Sequence, residues 1–209
     1  MTIQKTMLSP VMLFGQDDDL SEAIAAACRQ HGIETSLGDA ACGGPSRASP
    51  ETGDTPTRSA AFIVAADAAE SLFGKPLSPS SRRRLRACEN TICDEAVTAA
   101  DTQGVRRVLV VCDARPLSFG QRLRVERWAR DLAHRIGYES RINGLTEVTT
   151  SYAVVETQAE VAELAGAVVN WHRGGHPADK SVAPDSHSPP LPRLGLRSGE
   201  QAPALAGTR

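Results

Sequence analysis

Two short stretches of this chain carry side chains suited to chemistry. The first follows the apolar run Val11-Met12-Leu13-Phe14, where Gly15 opens a turn that holds Asp17, Asp18 and Asp19. A glycine in such a turn can present bare backbone N–H groups to a phosphate. Three carboxylates there oppose that use, since each close like-charge pair costs on the order of 1 kcal/mol even near water. The second stretch follows the run 108–112 and holds Asp113, Arg115, Ser118 and Arg122. A carboxylate, a hydroxyl and two guanidinium groups are the parts of an anion site or a relocated proton relay, with Tyr152 as a possible phenol. The plainer reading gives Arg115 and Arg122 to a solvated helix face and Tyr152 to the flank of the last helix. Arg82-Arg83-Arg84 likewise read as a solvated face rather than an anion site. No metal site is expected, because His172 and His176 flank a Gly-Gly pair and no two of the five cysteines have C-x-x-C spacing.

The composition bounds the class. The 209 residues suffice for one α/β domain, and a 4% aromatic content leaves Ala, Val, Leu and Ile to build the core. A net charge of −2 gives no reason to expect nucleic acid or an anionic membrane as a partner. No apolar run has membrane-spanning length, and no signal-peptide pattern is present. An odd number of cysteines, two of them (Cys28 and Cys112) in apolar patterns, suits reduced thiols in a cytoplasmic protein.

The elements that must position these residues follow from periodicity. Strands are expected at 11–14, 33–37, 60–65, 108–112 and 142–148. Helices are expected at 20–31, capped by Ser21 with Glu22, and from Arg82 through Ala100. A further helix carries Leu123, Trp128, Leu132 and Ile136 on one face and is stopped by Gly137, and the last spans 158–171. Residues 38–59 read as loop or disorder, 66–84 as a loop with Pro76 and Pro79, and 173–209 as a disordered Pro/Gly/Ser-rich tail. The alternation predicts a single Rossmann-like domain, residues 1–172, built on a doubly wound parallel sheet. Ligands of such sheets bind beyond the carboxyl ends of the strands. The expected ends are Gly15 to Asp19, Ala66-Asp67, Cys112 to Pro116, and Thr146 to Ser151.

Over residues 11–171 the order resembles the short-chain dehydrogenase/reductase family. Phe62 to Asp67 stand where its N-N-A-G strand would be, and Val108 to Asp113 follow at the family's distance. Leu132-Ala133-His134-Arg135 resemble L-A-x-E, and Ser140-Arg141-Ile142-Asn143-Gly144 resemble I-R-V-N. Glu147-Val148-Thr149-Thr150 resemble the end of P-G-x-V-x-T, with the following helix at 159–169. The resemblance implies a nucleotide cradle at Gly15 and a Tyr-x-x-x-Lys pair, but those two positions hold Ser118 and Arg122, and Asp113 or Ala114 replaces the catalytic serine. A serine hydroxyl cannot do a phenol's acid–base work, and an arginine keeps the lysine's charge without its geometry. Of the cradle glycines only Gly15 remains, beside Asp17, Asp18 and Asp19. The expectation is a non-catalytic subunit without NAD(P). It would assemble with itself or with an active paralogue, as the resemblance allows for dehydrogenases of 3-hydroxyacyl and 3-ketoacyl thioesters. By analogy with the family's last helices, its interface is expected at Leu123, Trp128, Leu132, Val161, Leu164 and Val168.

Two other readings stand beside this one. The first is a divergent NAD(P)-dependent oxidoreductase that uses Asp113, Arg115, Ser118, Arg122 and Tyr152. The second is a receiver-like signalling domain, with Asp67 as phospho-acceptor and Asp17 and Asp18 holding Mg²⁺. The later Thr/Ser and Lys-Pro of a receiver are not where they should be, and the segment from Asp67 to Val108 is too long.

Overall fold

The computed structural model describes residues 9–38, 58–75 and 78–174, and the backbone of residues 197–198. The chain runs β1 (Val11–Phe14), α1 (Asp19–Gln30), β2 (Thr35–Gly38), β3 (Arg58–Val64), α2 (Ala66–Phe73), α3 (Pro79–Gln103), β4 (Val105–Asp113), α4 (Phe119–Ile142), β5 (Thr149–Val155), α5 (Gln158–His172) and β6 (Arg197–Ser198). The sheet order is β2-β1-β3-β4-β5, all parallel, with β6 antiparallel on the β5 edge. This is the expected doubly wound, Rossmann-like sheet, in the five-strand order 2-1-3-4-5.

The central strands are apolar on both faces because helices cover both. Ala60, Phe62, Val64, Val108, Val110 and Cys112 pack toward α2, α3 and α4. Their neighbours Ala61, Ile63, Leu109 and Val111 pack with Val11 and Leu13 toward α1 and α5. Phe14 and Phe62 are register partners and stack with ring centroids 4.5 Å apart. Gly38 makes room for this pair, since a Cβ there would fall 2.4 Å from the Phe14 ring.

Several boundaries differ from expectation, each for a local reason. Gly137 does not stop α4. It is buried within the helix, where a Cβ would meet Thr150 Oγ1 at 3.2 Å, so the glycine serves the close approach of α4 to β5. The helix ends instead at Ile142, followed by Gly144 in a left-handed conformation (φ +82°). The strand expected at 142–148 is therefore Thr149–Val155. Ser140 to Gly144 close a helix rather than open a strand, and Glu147 to Thr150 lead into β5 rather than out of it.

The expected loop at 66–84 is largely helical. Pro79 sits in the first turn of α3 and Ser78 caps it, accepting from Ser81 N at 3.1 Å. Proline is favoured there because its missing N–H would have no helical partner. At α1 the cap is Asp18, with Ser21 reciprocating, rather than Ser21 with Glu22. Residues 39–57 of the expected loop lie outside the described residues, as do residues 175–209 of the expected tail except 197–198, where a two-residue strand replaces part of it, while Arg173 caps α5. No helix among the described residues is long and apolar enough to cross a membrane.

At the amino end of the sheet, His172 is buried and shares a 2.9 Å hydrogen bond with Ser59 Oγ. Burial first, then the charges of Arg107 and Arg173, lower its pKa, against a raising contribution from Ser9. The folded state thus holds His172 neutral where the unfolded chain protonates it near its ordinary value of about 6.5. Its contribution to stability is complete above that value and is lost as pH falls through it toward the depressed folded pKa. Unfolding midpoints measured from pH 7.5 down to 5 should fall for the parent protein, and fall less steeply for His172→Asn.

Candidate functional site at the carboxyl end of the sheet

The carboxyl end of β4 leaves a carboxylate with no access to water. Asp113 is fully buried, and an isolated buried charge is too costly to persist without a partner. Arg115 supplies that partner: its Nε donates to both Asp113 oxygens at 2.9 and 3.0 Å, and its backbone N–H donates to Oδ1 at 3.1 Å. The same guanidinium reaches the first turn of α1, giving Nη1 to Asp19 Oδ2 at 2.8 Å and Nη2 to Asp19 Oδ1 at 2.7 Å. Nη2 also donates to Asp113 Oδ2, and Nη1 to Gln158 Oε1 at the start of α5. A guanidinium has five N–H donors, and this network commits all five. The Arg115 hydrogen bond holds the Asp19 carboxyl below its usual range.

The helix end that would face a phosphate is also engaged. Asp18 Oδ1 accepts from Ser21 N at 2.8 Å, and Ser21 Oγ accepts from Asp18 N at 3.0 Å. The chain's own carboxylate therefore takes the place an anion would occupy at the α1 N-terminus. Gly15 keeps one feature of a cradle, the close passage of β1 beside β3, where a Cβ would lie 2.6 Å from Ile63 O. A dinucleotide pyrophosphate does not fit this turn. It would meet Asp17, Asp18 and Asp19 in place of free N–H groups. Carboxylate oxygens of Asp18, Asp19 and Asp113 lie within 4.8 Å of one another, a grouping the sequence does not suggest. Two of these three acids are already bound to Arg115.

The remaining sequence candidates have structural roles here. Ser118 caps α4, with its N–H and Oγ donating to Gln121 Oε1 at 2.7 and 2.8 Å. Arg122 donates to Leu117 O at 2.8 Å and Arg115 O at 3.1 Å, fastening the β4–α4 turn. Tyr152 is buried in mid-strand, paired with Val110, and not at a carboxyl end as the relocated-site reading requires. The end of β5 is Val155, so Thr146 to Ser151 are not at the ligand-facing rim. Asp67 lies in the first turn of α2, accepts from Ala68 N at 2.7 Å, and stands outside the Asp18–Asp19–Asp113 group. Of the six expected interface residues, Trp128, Leu132, Val161, Leu164 and Val168 are buried in the chain's own core, and only Leu123 is exposed. Gln158 is the participant that sequence reasoning missed. The signal nearby was the Thr157-x-x-Glu160 cap, which marks a helix start at this rim.

Where the strand order reverses, between β1 and β3, a cavity of about 250 Å³ opens against α3. It is lined by Phe14, Phe62, Val64, Cys88, Ile92 and Glu95 among others. Burial pushes the Cys88 thiol up to about 11, which makes it a poor nucleophile, and also raises Glu95. The polar side chains in its lining are Gln16, Thr91 and Glu95.

Removing Arg115 should expose the cost of burying Asp113. Arg115→Met is expected to lower unfolding free energy by roughly 3–5 kcal/mol, measured by denaturant titration. Adding Asp113→Asn should restore a large part of the loss. No protein-family model matches this chain, and no curated protein matches it.

Proposed function

We propose that this chain is a catalytically silent, dehydrogenase-like subunit that acts by assembling, either with an active short-chain dehydrogenase/reductase paralogue or with itself. The observation that carries the reading is the closed network at the carboxyl rim. All five Arg115 donors are committed within the chain, so the strongest cation of the site has none left for a substrate or cofactor anion. The Asp18 cap supports the same conclusion at the phosphate position, and Ser118 and Arg122 support it at the Tyr and Lys positions. Each group that the resemblance assigns to catalysis is engaged in holding a turn or a helix end. NAD(P) has no place in this reading, and the chain's contribution is a surface.

Titration of the purified protein with NADH and NADPH, followed by calorimetry and by the cofactor's own emission, should give no saturable binding up to millimolar concentrations. Saturation at micromolar levels would overturn the silent-site reading. Co-expression with an intact dehydrogenase of the same family tests hetero-assembly, and an active paralogue should co-purify and change in activity.

A further inference from the structure

The net charge of −2 hides a segregation of charge along the chain. Residues 71–88 hold five cations and no acid, and residues 119–127 hold three cations and one acid, Glu126. These two stretches therefore carry +7, and the rest of the chain carries −9. The fold joins them through the last turn of α2. Arg84 Nη1 of α3 donates to Ser71 Oγ at 3.4 Å. From α4, Arg124 Nη2 donates to Phe73 O and Gln121 Nε2 to Gly74 O, both at 2.8 Å. Helices α2, α3 and α4 cover the same face of the sheet, so the opening turns of α3 and α4 meet at one corner of that layer.

Two kinds of side chain face water at this corner. Lys75, Arg82, Arg83, Arg86 and Arg127 are exposed cations. Phe119 and Leu123 are large and apolar, yet 75% and 51% exposed. Phe119, Leu123 and Arg127 are spaced by four, which sets them along one face of α4. That face is opposite the side on which Trp128 and Leu132 are buried. On α3, Arg83 and Arg86 point away from the side that buries Ser81 and Ile92. A single exposed apolar residue needs no explanation. Two of them framed by cations suit a partner that offers anions and an apolar interior at the same surface.

We propose that this corner docks the protein on the surface of an anionic lipid bilayer. Phe119 and Leu123 enter the boundary between headgroups and acyl chains, and the cations of α3 lie among the headgroup phosphates. The mixture of groups selects this occupant. A nucleic-acid backbone would engage the arginines and leave Leu123 in water. A neutral bilayer would take Phe119 and Leu123 and offer the cations nothing. Neither signal is strong alone, and together they give reversible docking. The association is peripheral, since no helix among the described residues is long and apolar enough to cross a membrane. It goes beyond the subunit reading and does not rest on it: cofactor binding would overturn the silent site and leave this surface standing.

Co-sedimentation of the full chain with vesicles tests this. Vesicles of phosphatidylcholine with about 30% phosphatidylglycerol should carry the protein down, and phosphatidylcholine alone should not. Raising the salt from about 0.1 M to about 0.5 M should release most of it. R82Q/R83Q/R86Q should weaken binding by roughly tenfold or more, because each cation near an anionic surface adds to the attraction. F119S/L123S should also weaken it, leaving a residue that salt abolishes. R29Q/R141Q, which removes two exposed cations elsewhere, should bind as the parent does. All substituted side chains are exposed, and unchanged circular dichroism and thermal midpoints will show that each variant is folded. A parent that ignores anionic vesicles at low salt overturns the proposal, as does binding indifferent to the α3 triple variant. Vesicle binding unchanged in F119S/L123S, or equally tight binding of single-stranded DNA, would assign the corner to polyanions in general and also overturn it.

Discussion

A carboxylate buried at the end of a central strand sets the terms for the rest of this molecule. A carboxylate placed out of reach of water needs a partner for its oxygens, and Arg115, two residues on, is the partner that the strand end can supply. Once in place, the guanidinium draws in Asp19 and Gln158, and so ties the first turns of α1 and α5 to β4. Those two helix starts form the rim at which a doubly wound sheet usually meets its ligand. Here the electrostatic needs of one residue are met by bridging the part of that rim between β4, α1 and α5.

Helix α4 commits one side of its surface to the core. Its inward side chains are fixed by contact with β4, β5 and α3, and Gly137 permits the close seat on β5. This leaves the outward face unconstrained by the fold, and its large apolar residues have no role in the chain's own core.

The class of fold was legible because it rests on patterns that burial on both faces enforces. The apolar runs at 60–65 and 108–112 suit strands buried on both faces of a parallel sheet, and the structure places β3 and β4 there. Boundaries were less legible, because Gly137 and Pro79 have two meanings each. A glycine can stop a helix or let it pack closely, and a proline can mark a loop or a first helical turn. Which meaning applies depends on tertiary neighbours such as Thr150, distant in sequence. The site was half legible. Asp113 and Arg115 were evident as chemistry-bearing residues, but their burial and mutual saturation arise from the meeting of β4, α1 and α5. The expected interface residues came by analogy with the family's last helices, and of those on α4 Trp128 and Leu132 are on its buried side.

The pairing of β1 has a consequence for synthesis. Val11 lies beside Thr35 on one side and Ser59 on the other. A nascent chain leaving the ribosome can cover Val11 and Leu13 with α1 early, since that helix follows directly. Phe14 must wait for Phe62 and for α3 before its ring is covered. During that interval the newborn amino-terminal segment carries an open strand edge and an uncovered aromatic ring, the features that holding chaperones recognise.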